Sequence, residues 1–518
     1  MDTQTNKMGM NAAGGLAYNM EAEHALAQLC CTGTFNNTFY STGQDQLAKV
    51  TELANQVSPE FLAKLAVYSR ESAFMKDSSA VLLGVLASKD VNLFKQVFNR
   101  VVDNGKMLKN FCQVIRSGTT GRKSFGSALK KEIEKWLSAR TDKQLFEDSV
   151  GNDPSLADVI KMVHPKPVSK EREAFYSYLL GKMEMGSAEK VSLLPKNVQE
   201  FEAFKKVNLS DCSERTVPNV PFQMLTALNL RDSEWVSIAR NAKWHMTRMN
   251  LNTFARHGVF AVEGMTSLIA ERLKDRDAIK HSKVFPYQLY AAFKNAEANI
   301  PSEVSLSLQD AMEVAIENVP AMEDVVVAVD CSGSMSCPVT GNRTGSVNTT
   351  ISCNEVASLI AAAILRNGKN VTVMKFDTSA QEIRLNPRDS VMTNIQKIGF
   401  HGGGTDCSAP IRVANQNKVK AKVFVMISDN ESWVSQVRGS YRGTGMMQEW
   451  DSFKKRNPGA KLVCIDLAAN TTMQVPSSPD VLNVGGWSDS AFDVMAGFVQ
   501  NTGSADYWTK KIKAEVAI

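Results

Sequence analysis

The chain lacks a Cys-x-x-Cys pair, a nucleotide-binding P-loop and any apolar run long enough to span a bilayer. Its nine cysteines are an odd number and scattered, with Cys30 and Cys31 adjacent. That pattern suits neither a zinc ribbon nor a dithiol redox motif, and it reads as reduced thiols. The segment Met1 to Met10 is polar and does not have the charged-then-apolar form of a secretory leader. These absences read as a cytoplasmic protein with no membrane partner. A strong excess of charge is also missing: the net charge is +5 and the pI about 8.6. A mildly basic balance permits a nucleic-acid partner without requiring one. No motif joins His164, His281 or His401 to a serine or cysteine nucleophile, and no acid pair sits in a nuclease pattern. The expectation is a protein that is not an enzyme.

What is present is chain enough for two or three domains, with 518 residues, 43% hydrophobic and 22% charged. Residues 1 to about 20 hold Asn11, Gly14 and Gly15 among small and polar residues and read as a flexible arm. From about 21 to 320 the pattern is helical. In Ser58 to Tyr68, Ser58 can cap, Pro59 suits the first helical position, and Phe61, Leu62, Leu65 and Tyr68 fall near one face. Helices are predicted also over 79–87, 91–102, 128–137 and 265–273. Gly258 weakens the helical pattern from Phe254. Short amphipathic helices in series fit either a helical-repeat array or an ordinary all-α domain.

Near Pro320 the period changes. Residues 324–330, 371–377, 422–429 and 461–466 are short runs rich in β-branched and apolar residues, each ending in or beside an aspartate. Such runs predict buried strands of a parallel sheet, and the helical stretch 354–366, stopped by Gly368, makes the region α/β. Three loops beyond these strands carry oxygen: Asp330-Cys331-Ser332-Gly333-Ser334, Gly402-Gly403-Gly404-Thr405-Asp406 and Ser428-Asp429. Loops at the carboxyl ends of parallel strands converge in space. Hydroxyls with carboxylates are hard donors that suit Mg²⁺ better than zinc or copper.

DxSxS after a strand, a GGGTD loop and a third strand closing on aspartate resemble the metal-ion-dependent adhesion site of von Willebrand A domains. The resemblance implies Asp330, Ser332, Ser334, Thr405 and Asp429 as the ligands, with Asp406 in support. Upstream, residues 62–71 with 74–77, 125–131, 158–165, 238–241 and 285–289 resemble the TROVE module. A TROVE module at 21–320 followed by an A domain at 321–518 is the layout of Ro autoantigen-type proteins, here of a bacterial or phage kind. It implies a HEAT-like helical ring closed by a doubly wound, Rossmann-like A domain. It further implies binding of small non-coding Y-like RNA and of single-stranded RNA ends, in RNA quality control or decay, with an exoribonuclease as a partner.

The charge pattern supplies candidate RNA contacts. Between Lys106 and Arg140 stand nine basic residues, among them Lys109, Arg116, Arg122, Lys123, Lys130, Lys131 and Lys135, against Glu132 and Glu134. A second group is Arg240, Lys243, Trp244, His245, Arg248 and Arg256, whose Trp244 and His245 are candidates for stacking on bases. The alternative for either group is a solvated helix face, with Trp244 in the core. His164 matches a histidine that the family uses at its Y RNA surface. The stretch between Trp136 and Ser155 departs from the basic pattern of animal relatives, with Asp142, Glu147, Asp148 and Asp153 against Arg140 and Lys143. A competing reading makes the A domain a metal-dependent protein-interaction module, and a metal-dependent nuclease is a third.

Overall fold

The valine run that begins after Glu323 forms the centre of a six-stranded sheet in the computed structural model of the chain. Residues 7–32, 35–151, 153–207, 216–282, 284, 286–319, 321–342, 351–435, 437–468, 470–486, 489–500 and 504–518 are described. Phe285 and the expected boundary residue Pro320 lie outside them.

The strands are β1 (Met8–Met10), β2 (Leu16–Asn19), β3 (Glu323–Asp330), β4 (Lys369–Phe376), β5 (Ala380–Ile383), β6 (Val423–Ser428), β7 (Lys461–Asp466), β8 (Thr472–Met473) and β9 (Val481–Gly485). The large sheet has the order β5-β4-β3-β6-β7-β9, parallel except for the antiparallel edge strand β5. Both faces of β3 are buried, which is why the run is continuously apolar instead of alternating. Val326 and Ala328 face a core that holds Phe424, Met426, Leu462, Trp450 and Phe453. Successive side chains point to opposite faces, so Val325, Val327 and Val329 bury the other side. The helix Cys353–Asn367 packs on β3, β4 and β6. Ser352 caps it in a capping box with Glu355, and it ends at Gly368 as expected.

Residues 8–19 correct the reading of a flexible arm over that span. β1 and β2 form a hairpin, and β2 continues onto β8 through Tyr18↔Met473. Its small and polar residues are turn chemistry. Asn11 Oδ1 accepts the Gly15 N–H at 2.7 Å, and Gly14 has φ +83°, which glycine adopts without strain. Strand pairing satisfies the backbone, and Ala17 and Tyr18 are buried.

The chain folds as two compact units. One gathers Met1–Ser78, Lys274–Asn295 and Ser305–Ala517, so the sheet unit recruits residues from well before residue 320. The other comprises Ser79–Leu273 and Ala296–Val304 and is helical. Its helices follow their caps. Asp90 accepts from Asn92 and Leu93 N–H to start Val91–Val101, and Asn104 accepts from Met107 N–H to start Gly105–Ser117, which Gly118 ends at φ 79°. Phe94, Phe98 and Phe111 from these two helices meet with ring centroids 5.3–5.7 Å apart. The helices Asp77–Lys89, Gly126–Ala139 and Met265–Leu273 cover the remaining predicted spans.

Phe424 lies fully buried on the central strand β6. Phe424→Ala is expected to destabilise the sheet unit by about 3–5 kcal/mol through lost transfer energy and a cavity. A lowered urea midpoint for the tryptophan fluorescence of that unit checks it.

Candidate metal centre and nucleic-acid interface

Parallel register builds the metal centre. Val329 pairs with Ile427, so Asp330 ends β3 beside Ser428, the last residue of β6, and Asp429 follows. Ser428 Oγ donates to Asp330 Oδ2 at 2.5 Å, and the Ser332 N–H donates to Asp330 Oδ1 at 2.8 Å. Ser332 and Ser334 hydroxyls lie 3.4 Å apart. The glycine loop is tied to the first loop by Gly333 N–H to Gly403 O at 3.0 Å and Gly402 N–H to Cys331 O at 2.9 Å. Gly402 and Gly403 have φ +83° and +99°, a region that L side chains rarely adopt. Thr405 is held at the end of that loop, where its carbonyl accepts from Trp433 and Val434 N–H.

All five expected donors are buried: Asp330 0%, Ser332 0%, Ser334 5%, Thr405 1% and Asp429 3% exposed. Among the described residues neither Asp330 nor Asp429 has a Lys, Arg or His ion-pair partner. Burial, and next the charge of Asp429, push Asp330 up to about 7; burial also raises Asp429. Burial and then Asp429 raise Glu431 to about 7, and burial holds Asp466 well above the carboxylate range. Carboxylates gathered out of water without a counter-charge are costly, and a hard cation is the group this donor chemistry fits. Among the described residues no three His, Cys, Asp or Glu side chains cluster as a metal site, in keeping with a set in which hydroxyls outnumber carboxylates.

Asp406 is engaged elsewhere. It accepts from Ser408 N–H at 2.9 Å and pairs with Arg412 at 2.8 Å, which starts the helix Ala409–Gln416. Cys331 is buried, and burial with Asp330 pushes its thiol up to about 12, so it stays protonated and poorly nucleophilic. Sequence reasoning missed Asn354, whose Nδ2 donates to Asp330 O at 3.0 Å, and Tyr40, which lines the cavity that Ser334 and Asp429 also line. Asn354 at a helix start carried a weak local signal; Tyr40 lies in a distant segment and carried none.

In the helical unit Arg116, Lys123, Lys130 and Lys131 are exposed on or beside Gly105–Ser117 and Gly126–Ala139. Arg122 is half-buried and donates to Ala87 O at 2.6 Å. Lys109 leaves the expected patch: it is buried, and its Nζ donates to the carbonyls of Asp148, at 3.1 Å, and Val150. Lys135 pairs with Glu132 at 2.7 Å. Two of the four acids of the 136–155 stretch, Asp142 and Asp148, have internal partners. Asp148 Oδ1 accepts from Gly105 N–H at 2.9 Å and its other oxygen pairs with Arg140, while Asp142 pairs with Arg172. Arg140 also lies over the Trp136 ring at 4.2 Å. His164 is exposed at φ 55°, where it ends the helix Leu156–Val163 with its N–H on Ile160 O.

In the second group Arg240, Lys243, His245 and Arg256 are exposed and Arg248 is partly so. Trp244 is corrected. It is 6% exposed, and its Nε1 donates to Leu273 O at 2.9 Å, so the indole is committed to the core and offers no face to a base. The helical pattern showed a tryptophan among cations; only packing shows which side it takes.

Residues 324–499 match the family model of the Ro60 vWA domain. Along its length the chain is 23% identical over 524 residues to the RNA-binding protein RO60 of Deinococcus radiodurans, covering 95% of each. It is 21% identical to the RNA-binding protein RO60 of Caenorhabditis elegans, over 84% of this chain and 74% of that one. The crystal structure of the D. radiodurans Ro (RSR) protein superposes with a TM-score of 0.61 at 18% identity, over 93% of this chain and 99% of that one. That likeness shows the Ro fold.

Trp244→Ala is expected to cost about 3–5 kcal/mol of stability in the helical unit. Lys243→Ala and Arg240→Ala are expected to stay within about 0.5 kcal/mol of the parent, as surface changes do. Chemical denaturation of the three variants checks the assignment of core and surface.

Proposed function

We propose that this Ro-type chain is the RNA-binding scaffold of a ribonucleoprotein. It takes small non-coding, Y-like RNA and the single-stranded ends of misfolded RNA, in cytoplasmic RNA quality control or decay, and hands substrates to an exoribonuclease without cleaving RNA itself. The observation that carries the reading is the set Arg116, Lys123, Lys130 and Lys131. All four are exposed, and none has an ion-pair partner among the described residues. Cations left without a counter-charge on a folded surface release counterions when they meet phosphates. Both relatives are named RNA-binding, which supports the same assignment. Arg122, His164, Arg240, Lys243, His245 and Arg248 extend the candidate contacts.

The A domain of this reading holds Mg²⁺ through Asp330, Ser332, Ser334, Thr405 and Asp429. The cation would supply a Lewis-acidic coordination position. The chain's own part is to orient the five oxygens and to exclude water from them. A second reading, metal-dependent capture of an acidic group on a partner protein, is favoured by Phe400 and Trp433. They are 48% and 53% exposed in the loops that carry Thr405 and follow Asp429.

Binding of the full chain to a structured RNA with and without a single-stranded 3′ tail, across a salt series, tests the proposal. Tail-dependent binding that weakens steeply with salt is expected; no binding at low salt overturns it. Replacing Arg116, Lys123, Lys130 and Lys131 with alanine is expected to lower the salt slope by about 0.7 for each single-strand phosphate that is no longer neutralised. An unchanged slope removes these residues from the interface.

Mg²⁺ is expected to raise the melting temperature of the wild type, because a ligand that binds only the folded state stabilises it. Asp330→Ala is expected to abolish that rise and leave RNA affinity unchanged. A wild type whose melting is indifferent to Mg²⁺, Mn²⁺ and chelator contradicts the cation site.

A further inference from the structure

Two cysteines that no sequence motif joins meet across a short antiparallel ladder. Pro338 and Ser352 form an antiparallel bridge. On one side of it the Val339 N–H donates to Ile351 O at 3.0 Å, and on the other the Cys353 N–H donates to Cys337 O at 2.9 Å. That register sets Cys337 and Cys353 directly opposite each other. The segment after Cys337 is clamped from outside. Asn37 and Asn342 exchange both backbone hydrogen bonds, at 3.2 and 2.7 Å, and Asn36 Nδ2 donates to Thr340 O at 2.8 Å. Cys353 is fixed as the first residue of the helix Cys353–Asn367, which Ser352 caps.

Opposed residues of an antiparallel pair point to the same face. Where a backbone hydrogen bond joins them, their Cα atoms lie about 5.5 Å apart. A disulfide spans Cα separations of roughly 4.4–6.8 Å. Cys337 and Cys353 both line one cavity, of about 350 Å³, and both thiols are free. Cys337 is half-buried, so reagent reaches it first; Cys353 is buried behind it. Cys30 and Cys31 make the contrast. They are adjacent on the helix Ala22–Thr32, where neighbouring side chains do not face each other.

We propose that Cys337 and Cys353 form a thiol modification site that a hydroperoxide closes to a reversible disulfide. The Cys337 sulfur attacks one oxygen of hydrogen peroxide. The O–O bond breaks, the thiol proton leaves with the departing oxygen as water, and Cys337 becomes a sulfenic acid. Cys353 Sγ then attacks Cys337 Sγ. The S–S bond forms, the S–O bond breaks, and the hydroxyl leaves with the Cys353 proton as a second water. Two thiols are oxidised by two electrons and one peroxide is reduced to two waters. Burial raises both thiols, which keeps the first step slow and confines it to sustained exposure to peroxide. The bond would fasten two supports of the five-oxygen site. Cys337 closes the turn Gly333–Ser336, which holds Ser334, and Cys353 precedes Asn354, whose Nδ2 donates to Asp330 O at 3.0 Å. The pairing depends on neither a bound cation nor RNA.

Peptide mapping of the full chain tests the proposal. Reduced protein is held in excess hydrogen peroxide, its remaining thiols are alkylated in denaturant, and trypsin cleaves after Lys294, Arg343 and Arg366. Peptides 295–343 and 344–366 are expected to appear as one species, lighter than their sum by two hydrogen atoms and separated by dithiothreitol. Two of the nine thiols should be lost to alkylation. Cys337→Ser is expected to abolish the linked species. Its persistence in that variant assigns the bond to Cys331, which shares the peptide, and overturns the proposal. Cys337 oxidised to a sulfinic acid beside a Cys353 that still alkylates overturns it, as does a link that forms only in denaturant. Wild-type protein whose two peptides stay separate under excess peroxide overturns it without recourse to any variant.

Discussion

The structure of the A domain turns on two carboxylates placed side by side out of water. Asp330 closes one central strand, Asp429 follows its neighbour, and the parallel register leaves neither a choice of position. Everything around them serves to make that burial tolerable. The Ser428 hydroxyl and the Ser332 amide donate to Asp330, the Glu431 amide donates to Asp429, and the glycine loop brings Thr405 without a side chain in the way. Neutral donors alone leave both carboxyls raised from their ordinary values by burial. The same tension would give a hard cation its affinity at this site.

The N-terminal eighty residues belong to this problem more than to the helices that follow them. The β1–β2 hairpin pairs with β8, the Ala13 N–H donates to Glu431 Oε2 at 3.2 Å, and Asn11 Nδ2 donates to Ser432 O at 2.7 Å. The loop that carries Asp429 is therefore held from outside the A domain proper. Gly15 approaches so closely that a Cβ there would meet Ser432 O at 1.9 Å. A backbone packed this tightly against the Asp429 loop fixes donors that a surface loop would leave mobile.

The helical unit is organised differently. Its cations divide into those engaged by the fold and those left over. Lys109 and Arg172 are buried and bound to carbonyls, and Arg272 donates to Ala239 O at 2.7 Å. Arg116, Lys123, Lys130 and Lys131 remain exposed. A count of basic residues along the sequence treats both kinds alike. Their separation arises because a helix terminus or an adjacent loop presents carbonyls that a long cationic side chain can reach.

The local patterns were legible in the sequence because their physics is local. Caps such as Ser58 and Ser352, the β-branched strands, the glycine stop after the helix ending at Asn367 and the hard-oxygen loops all depend on neighbours within a few residues. The five buried oxygen donors could be placed together because parallel strands deliver their carboxyl-end loops to one place. Trp244, Lys109, Asp406 and the hairpin at residues 8–19 could not be assigned in the same way. Whether an indole faces the core, which carbonyl a lysine finds and which edge strand accepts a hairpin are questions about partners distant in the chain. Sequence determined which chemical groups this protein carries and the periods that fold them locally. Tertiary structure decided which of those groups are engaged within the fold and which remain exposed or gathered without a counter-charge, because that division depends on partners no local pattern encodes.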